Sequence, residues 1–298
     1  MPDEDDNYTP SPQLMQANEI EAIAGTFVKM GVTKIRLTGG EPLVRKDAAD
    51  IIERLSKYPV ELTMTTNGVR LDEFFDLLKN SRVRSLNISL DTLQAAKFKE
   101  ITKRDLFDKV YSNILQALEL GFRVKVNCVA TKGVNDDEIH DFIALTKHLP
   151  LHVRFIEFMP FAGNRWMKEK VMGLQEILNL VSAEYDTIPI TRDKHDTAKK
   201  YKVIGHEGTF AVISTMTSPF CGDCNRLRLT ADGKMKNCLF SKEENDLLSA
   251  FRRGENIENL VLQNVQNKAK ERGGQITDDF ETKNAAALTN RSMISIGG

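Results

Sequence analysis

The sequence predicts an α/β fold built on a parallel sheet, open or barrel-like. Between about residues 34 and 159, short β-rich runs alternate with amphipathic stretches at helical spacing. The links between them are short, so successive strands are expected to run parallel through right-handed crossovers. The length of 298 residues and an apolar share of 41% suit one large domain, or a large domain with a smaller appendage.

The elements follow in order. Asn18–Met30 sets Ile20, Ile23, Phe27 and Met30 on one helical face, and Gly31 supplies the C-terminal stop. Lys34–Thr38 is the first strand. Then come a helix at Ala48–Ser56, a strand at Glu61–Thr66, a helix at Asp72–Leu78 and a strand at Ser85–Leu90. A helix at Phe107–Leu120, closed by Gly121, leads to the strand Val124–Ala130; a helix at Asp136–His148 leads to Val153–Phe158. Each of these strands has a helix before it, including the first, which leads to the expectation that an earlier strand has been cut away. Near Gly163 the rhythm changes, dividing residues 1–163 from 164–298. Arg192–Tyr201 is polar and reads as loop, and Phe210–Met216 as strand. Leu227–Thr230 and Lys234–Leu239 flank Asp232-Gly233, a hairpin signal, and helices are expected at about 242–252 and 256–270.

Charge and hydropathy exclude several classes. Lys plus Arg is 41 against 42 Asp plus Glu, a net charge of −1. Neither nucleic acid nor an anionic membrane is expected as a partner, and an anionic ligand must be held by a local basic cluster. No apolar run approaches the roughly 18 residues of a membrane span. The acidic stretch Met1–Tyr8 has neither signal-peptide nor transit-peptide character, so the expected location is the cytoplasm.

The chemistry concentrates in two places. Of the four cysteines, Cys221, Cys224 and Cys238 are grouped, and the hairpin returns Cys238 alongside the Cys221-x2-Cys224 pair. Such grouping suggests metal binding. Two readings stand level on spacing: zinc, with His206 or Cys128 as fourth ligand, or an iron–sulfur cluster with one iron left open. Cys128, in an apolar strand, reads as core. The second concentration is at the carboxyl ends of the strands, where parallel α/β folds bind ligands. Thr38-Gly39-Gly40-Glu41-Pro42 follows the first strand and Thr65-Thr66-Asn67-Gly68 ends the second. Asn87, Ser89 and Asp91 share a face of the third, Lys125 and Asn127 of the fourth, and Arg154, Glu157 and Met159 belong to the fifth. Lys and Arg on buried strands are costly without an anionic partner. Arg36, Lys125, Arg154, Arg226 and Arg228 are therefore candidates for holding a phosphate group.

IRLTGGEPLVRKD, TTNG, NISLDTL, VKVNCV, RFIEFMPF, FCGDCNRLRLTADGKMKNCLF and a terminal Gly-Gly occur here in one order. Together they resemble the GTP 3′,8-cyclases, radical S-adenosylmethionine (SAM) enzymes of molybdenum cofactor biosynthesis, across nearly the whole chain. The resemblance implies a partial (β/α)6 barrel of the TIM type with a C-terminal cluster-binding region. It implies that Cys221, Cys224 and Cys238 hold a [4Fe–4S] cluster whose open iron takes the guanine of GTP. Arg36, Thr65, Lys125, Arg154, Arg226 and Arg228 match the GTP pocket; Gly40, Ser89 and Met159 match SAM contacts; Gly297 and Gly298 match a tail that reaches the active site. Expected partners are GTP, an electron donor and the downstream cyclic pyranopterin monophosphate synthase, and a homodimer is compatible with the family. The family also carries Cys-x3-Cys-x2-Cys, ligands of a second [4Fe–4S] cluster, just before a Met-Pro dipeptide, and this sequence starts at Met1-Pro2. The chain as written is thus expected to be N-terminally truncated and inactive in SAM cleavage. The competing readings are a non-catalytic module binding GTP or a cluster, and another radical SAM enzyme with an auxiliary cluster.

Overall fold

The computed structural model describes residues 10–161, 164, 166–276 and 290–296. Helix α1 (Ala17–Lys29) leads into β1 (Lys34–Leu37), and α2 (Ala48–Leu55) into β2 (Glu61–Thr66). Helix α3 (Phe75–Asn80) precedes β3 (Val83–Ser89). Two helices, α4 (Ala95–Thr102) and α5 (Phe107–Glu119), stand before β4 (Arg123–Ala130), and α6 (Ile139–Leu145) before β5 (His152–Glu157). After α7 (Leu174–Glu184) come β6 (Thr187–Pro189), β7 (Lys199–Val203) and β8 (Thr209–Ile213). A small sheet of β9 (Arg228–Leu229), β10 (Lys234–Lys236) and β11 (Asn245–Asp246) follows, then α8 (Leu247–Arg252), α9 (Glu258–Gln266) and α10 (Met293–Ile296).

The large sheet has the order β1-β2-β3-β4-β5-β8-β7-β6. Its first six members are parallel; β7 and β6 run antiparallel to their neighbours. The expected α/β fold is therefore present, and its sheet is mostly parallel. Strand β8 pairs directly with β5, so strands from both sides of residue 163 share one sheet. The charged stretch read as loop ends instead as β7. Its Lys199, Lys200 and Tyr201 pair with Val212, Ala211 and Phe210, because β8 offers a ladder that the polar sequence alone does not reveal.

Strand alternation divides the sheet into two chemical faces. Leu62, Met64, Leu86, Ile88, Val124, Val126, Val153, Phe155, Phe210 and Val212 form the apolar face, each at most 2% exposed. They join one core with the helices, to which α2 contributes Ile51, Ile52 and Leu55 and α5 contributes Val110 and Ile114. Burying each such side chain stabilises the fold by about 1.5–3 kcal/mol. The opposite face carries Thr63, Thr65, Ser85, Asn87, Lys125, Asn127 and Arg154. Most of these are also buried. A polar face that is out of bulk solvent must face other polar groups, and this positions the site.

A second core joins Met15 and Ile23 of the N-terminal region to Met235, Leu247, Leu248, Ile257 and Val261. Arg252 of α8 bridges Glu19 of α1 at 2.7 Å and holds the small sheet region against the large one. Among the described residues, no helix is long and apolar enough to cross a membrane.

Candidate functional site

The parallel strands end at one rim, and their last residues build its polar lining. After β1, Gly39 adopts φ +151, a conformation that favours glycine, and turns the chain so that Glu41 folds inward. Glu41 accepts hydrogen bonds from the Leu43 N–H (3.1 Å), the Thr66 hydroxyl (2.8 Å) and the Asn67 N–H (2.6 Å). Burial pushes its carboxyl up, and these bonds work against that rise. Glu41 thus ties the end of β1 to the end of β2, and Gly40 stands exposed beside it. Ser89, the last residue of β3, is exposed at the same rim. Met159 lies past β5 and packs against the cluster of Phe161, Phe240 and Ile276, as Cys238 also does. Glu157, wholly buried at the end of β5, accepts from the N–H groups of Met216 (2.7 Å) and Thr217 (3.2 Å) and from the Thr217 hydroxyl. It fixes the segment that runs from β8 toward the cysteines.

Cys221, Cys224 and Cys238 line one pocket with Thr215, Phe220, Arg226, Arg228, Leu239 and Phe240. The hairpin explains the assembly: β9 and β10 pair Lys236 with Arg228, so Cys238 returns beside the segment from Cys224 to Arg228. All three thiols are free. The backbone N–H of Arg272 donates to Cys221 Sγ at 3.4 Å, and Lys268 reaches Cys224 Sγ at 3.5 Å and its carbonyl at 2.8 Å. Burial pushes Cys221 up, with the Arg272 N–H opposing. At Cys224 burial also acts upward, but hydrogen bonds and charge from Arg226, with the charge of Lys268, outweigh it and lower the thiol. Lowered thiols are the better metal ligands.

The zinc completion expected from spacing fails. His206 is buried against Thr146, its Nδ1 2.8 Å from the Thr hydroxyl, and Cys128 is buried beside Asp91, its Sγ 3.7 Å from the carbonyl. Neither lines the cysteine pocket. Among the described residues, no three His, Cys, Asp or Glu side chains converge as a single ion requires.

The basic candidates do come together. Arg36 hydrogen-bonds the Thr63 hydroxyl at 3.4 Å, and the Arg154 Nε donates to Asn127 at 2.8 Å. Burial lowers Arg154 to about 9, assisted by the charges of Arg36 and Arg226. Burial lowers Arg228 to about 10, assisted by the same two neighbours. Lys125 falls to about 8 through burial and then the charges of Arg154, Lys34, Arg36 and Lys200. Arg36, though its side chain opens to solvent, is lowered by the protein mass around it and then by Arg226. Arg226 stacks its guanidinium 5.1 Å from the Phe220 ring centre. Thr65 lies among these cations on β2 and accepts from Asn87 at 3.2 Å. The pocket is a pre-assembled cluster of cations whose mutual repulsion an anion would relieve.

Sequence reasoning missed three neighbours. His152, held near 3 by burial and then by Arg154 and Lys125, is a neutral imidazole hydrogen-bonded to Thr209 at 2.7 Å. Lys268 and Arg272 reach the cysteines from far along the chain, and nothing in their local sequence signals it. Gly297 and Gly298 lie outside the described residues.

The parallel α/β sheet, with its glycine-rich turn after β1, polar strand ends and neighbouring cysteine pocket, carries a sequence that matches the radical SAM class. The Radical SAM superfamily profile matches residues 3–146, and the Molybdenum Cofactor Synthesis C profile matches residues 151–273. Similar proteins narrow this. The mitochondrial GTP 3′,8-cyclase of Arabidopsis thaliana is 45% identical over 305 residues, covering 100% of this chain and 76% of that protein. The GTP 3′,8-cyclase of Peptoclostridium acidaminophilum is 41% identical, covering 96% and 86%. Molybdenum cofactor biosynthesis protein 1 of Mus musculus is 43% identical, and there the chain spans 47% of the relative's length. The chain belongs to the GTP 3′,8-cyclase family. In fold it is similar to Streptococcus suis SuiB bound to S-adenosylmethionine, with a TM-score of 0.55 at 15% identity over 84% of this chain and 60% of that one.

Proposed function

We propose that this protein holds GTP between an iron–sulfur cluster on Cys221, Cys224 and Cys238 and the cations of the sheet's polar face, and serves the GTP 3′,8-cyclase reaction of molybdenum cofactor biosynthesis. The observation that carries the reading is the juxtaposition of Arg36, Lys125, Arg154, Arg226 and Arg228 with a three-cysteine pocket. Three thiols spread around a pocket suit a polynuclear cluster better than one ion, and a cube with three protein ligands leaves an iron for a purine. Phe220, Leu239 and Phe240 wall that pocket with apolar surface. The six parallel strands are read as staves of a partial barrel, a reading supported by the burial of their polar face. Residues 1–163 would supply five of these staves, and 164–298 the sixth, β8, together with the cluster side.

The chain's own residues divide the work. The guanidinium groups and Lys125 neutralise the triphosphate and fix the ribose in place, so that orientation is set before reaction. Gly40 allows a ligand to approach the backbone, and Ser89 and Met159 complete that SAM-binding edge. SAM held at that edge beside a reduced cluster would supply hydrogen-abstracting chemistry directed at the ribose, and the Cys-x3-Cys-x2-Cys ligands of such a cluster are not among the four cysteines of this sequence. The product would pass to cyclic pyranopterin monophosphate synthase, and an electron donor would serve the reductive step. The test is anaerobic reconstitution followed by metal analysis and equilibrium dialysis with GTP. Iron bound through the three cysteines and GTP retention that weakens with salt are expected; one zinc per chain with no iron, or no affinity for GTP, sinks the reading.

A further inference from the structure

The polar face contains an acceptor that nothing among the described residues satisfies. Asn87 is 1% exposed in the middle of β3. Its amide Nδ2 donates to Thr65 Oγ1 at 3.2 Å, while among the described residues its Oδ1 has no hydrogen-bond partner, and neither has Ser85 Oγ on the same face. Buried polar atoms without partners are rare, because losing water without gaining a donor is costly. Asn87 cannot turn away: its neighbours Leu86 and Ile88 are fully buried in the helix-side core. In register it stands between Thr65 on β2 and Lys125 on β4. The orphan acceptor therefore lies on the polar face, in the row that carries Thr65 and Lys125.

Its chemistry selects one part of a nucleotide. A triphosphate presents acceptor oxygens only, and an amide carbonyl would meet them with like partial charge. The guanine is directed toward the cysteines. A ribose hydroxyl both donates and accepts, and Thr65, whose oxygen already accepts from Asn87, has its own proton to give. We propose that Asn87 is a ribose-positioning residue: its Oδ1 accepts a hydrogen bond from a ribose hydroxyl of GTP while Thr65 donates to the ribose. The inference rests on the GTP reading above and assigns the sugar its contact. Fixing that hydroxyl fixes C3′ relative to the rim where Gly40 and Ser89 lie.

The experiment is equilibrium dialysis of the full chain, reconstituted anaerobically, with GTP, 2′-deoxy-GTP and 3′-deoxy-GTP. Wild type is expected to bind one deoxy analogue about tenfold more weakly than GTP, the scale of one good hydrogen bond. Asn87→Ala is expected to lose about tenfold for GTP and nothing for that analogue, a double-mutant coupling that a merely structural role does not produce. Asn87→Asp keeps the acceptor and adds charge, so all three nucleotides weaken while the GTP-to-deoxy ratio persists. Equal losses for all three nucleotides in Asn87→Ala, as expected if the amide is turned to face phosphate, overturn the proposal. So does wild type without discrimination. If Asn87→Ala does not fold, loss of the ratio in Asn87→Asp overturns it. No GTP binding by wild type with iron in place removes the GTP reading itself, a result distinct from binding without discrimination.

Discussion

Lys125 keeps its charge with difficulty. It sits on β4 between Asn87 and His152 in register, with Arg154, Arg36, Lys34 and Lys200 around it, and burial and these charges lower it to about 8. A bound triphosphate would raise it again, because an opposite charge favours the ammonium. The sign follows. Below pH 8 the lysine is protonated in both free and bound protein, so GTP affinity is flat with respect to this group. Above pH 8 the free protein loses a proton that the complex retains, and affinity falls by up to about tenfold per pH unit until the bound-state pKa is reached. Lys125→Arg, which stays charged, should remove the fall between pH 8 and 9, below the range in which Arg154, lowered to about 9, adds its own; a decline that sets in at pH 8 and persists in the arginine variant assigns it elsewhere. Dialysis at pH 7 to 10 measures both. The residues of this cluster are legible in sequence because a Lys or Arg alternating with valines on a strand has no structural excuse. His152 is not, since a lone histidine in an apolar strand reads as packing. Asn87 could be placed on the right face, but that its carbonyl lacks a donor is visible only with its neighbours in place.

Among the elements, the β9–β10 hairpin does the most to assemble the site, because it alone brings Cys238 back to Cys224. Its turn depends on Gly233, at φ +72, where an added Cβ would lie 2.2 Å from the Leu248 Cβ. The Gly233 carbonyl also accepts from the N–H groups of Leu247 (3.0 Å) and Leu248 (3.1 Å), docking α8 onto the turn. Gly233→Ala combines a left-handed backbone penalty of about 1–2 kcal/mol with a clash against a buried leucine, for about 3 kcal/mol in all. We expect a fall of about 5–10 °C in Tm and reduced iron on reconstitution, read by scanning calorimetry and metal analysis. An unchanged Tm with full iron contradicts this account of the turn. The hairpin was legible from Asp232-Gly233, and β1 to β5 from their β-branched runs. Helix α4 was not: AAKFKEIT buries only Phe98 and shows little amphipathic pattern. Helix α7, burying only Ile177 and Val181, was missed as well. Strand β7 is polar and held by pairing with β8, and the three-residue β6 is held by β7, causes that local sequence does not carry.

At the scale of the whole molecule, the C-terminal segment returns to the cysteine region through buried charge. Arg291 makes a two-pronged bridge to Asp232, both contacts 3.0 Å, and a third contact to Glu244 at 2.5 Å. Lys236, 1% exposed, donates to the Ser241 carbonyl (2.7 Å) and the Asn290 side chain (3.1 Å), and Asn290 donates to the Leu239 carbonyl (2.9 Å). Met293 then packs in the cluster that contains Phe240 and Cys238, and Ile296 is buried at 3%. The arginine therefore couples the chain's last described helix to the same hairpin that presents Cys238. Among the described residues, removing it leaves Asp232 without its cation and Glu244 with only Lys236, at 3.4 Å; the two acidic side chains are 14% and 15% exposed. Leaving part-buried charge unpaired costs about 1–3 kcal/mol. That cost falls on docking of residues 290–296 rather than on the large sheet, since the partners of Arg291, Asp232 and Glu244, belong to the small-sheet region. Arg291→Ala should thus speed hydrogen–deuterium exchange in 290–296 by about tenfold or more, with exchange in β2 to β5 unchanged. Because the bridge is bidentate and partly buried, half-molar salt should not reproduce the effect, whereas it would dissolve a surface pair. Equal acceleration throughout the sheet would mean that the segment is integral to global stability, and no acceleration in 290–296 would mean that apolar packing by Met293 and Ile296 holds it unaided.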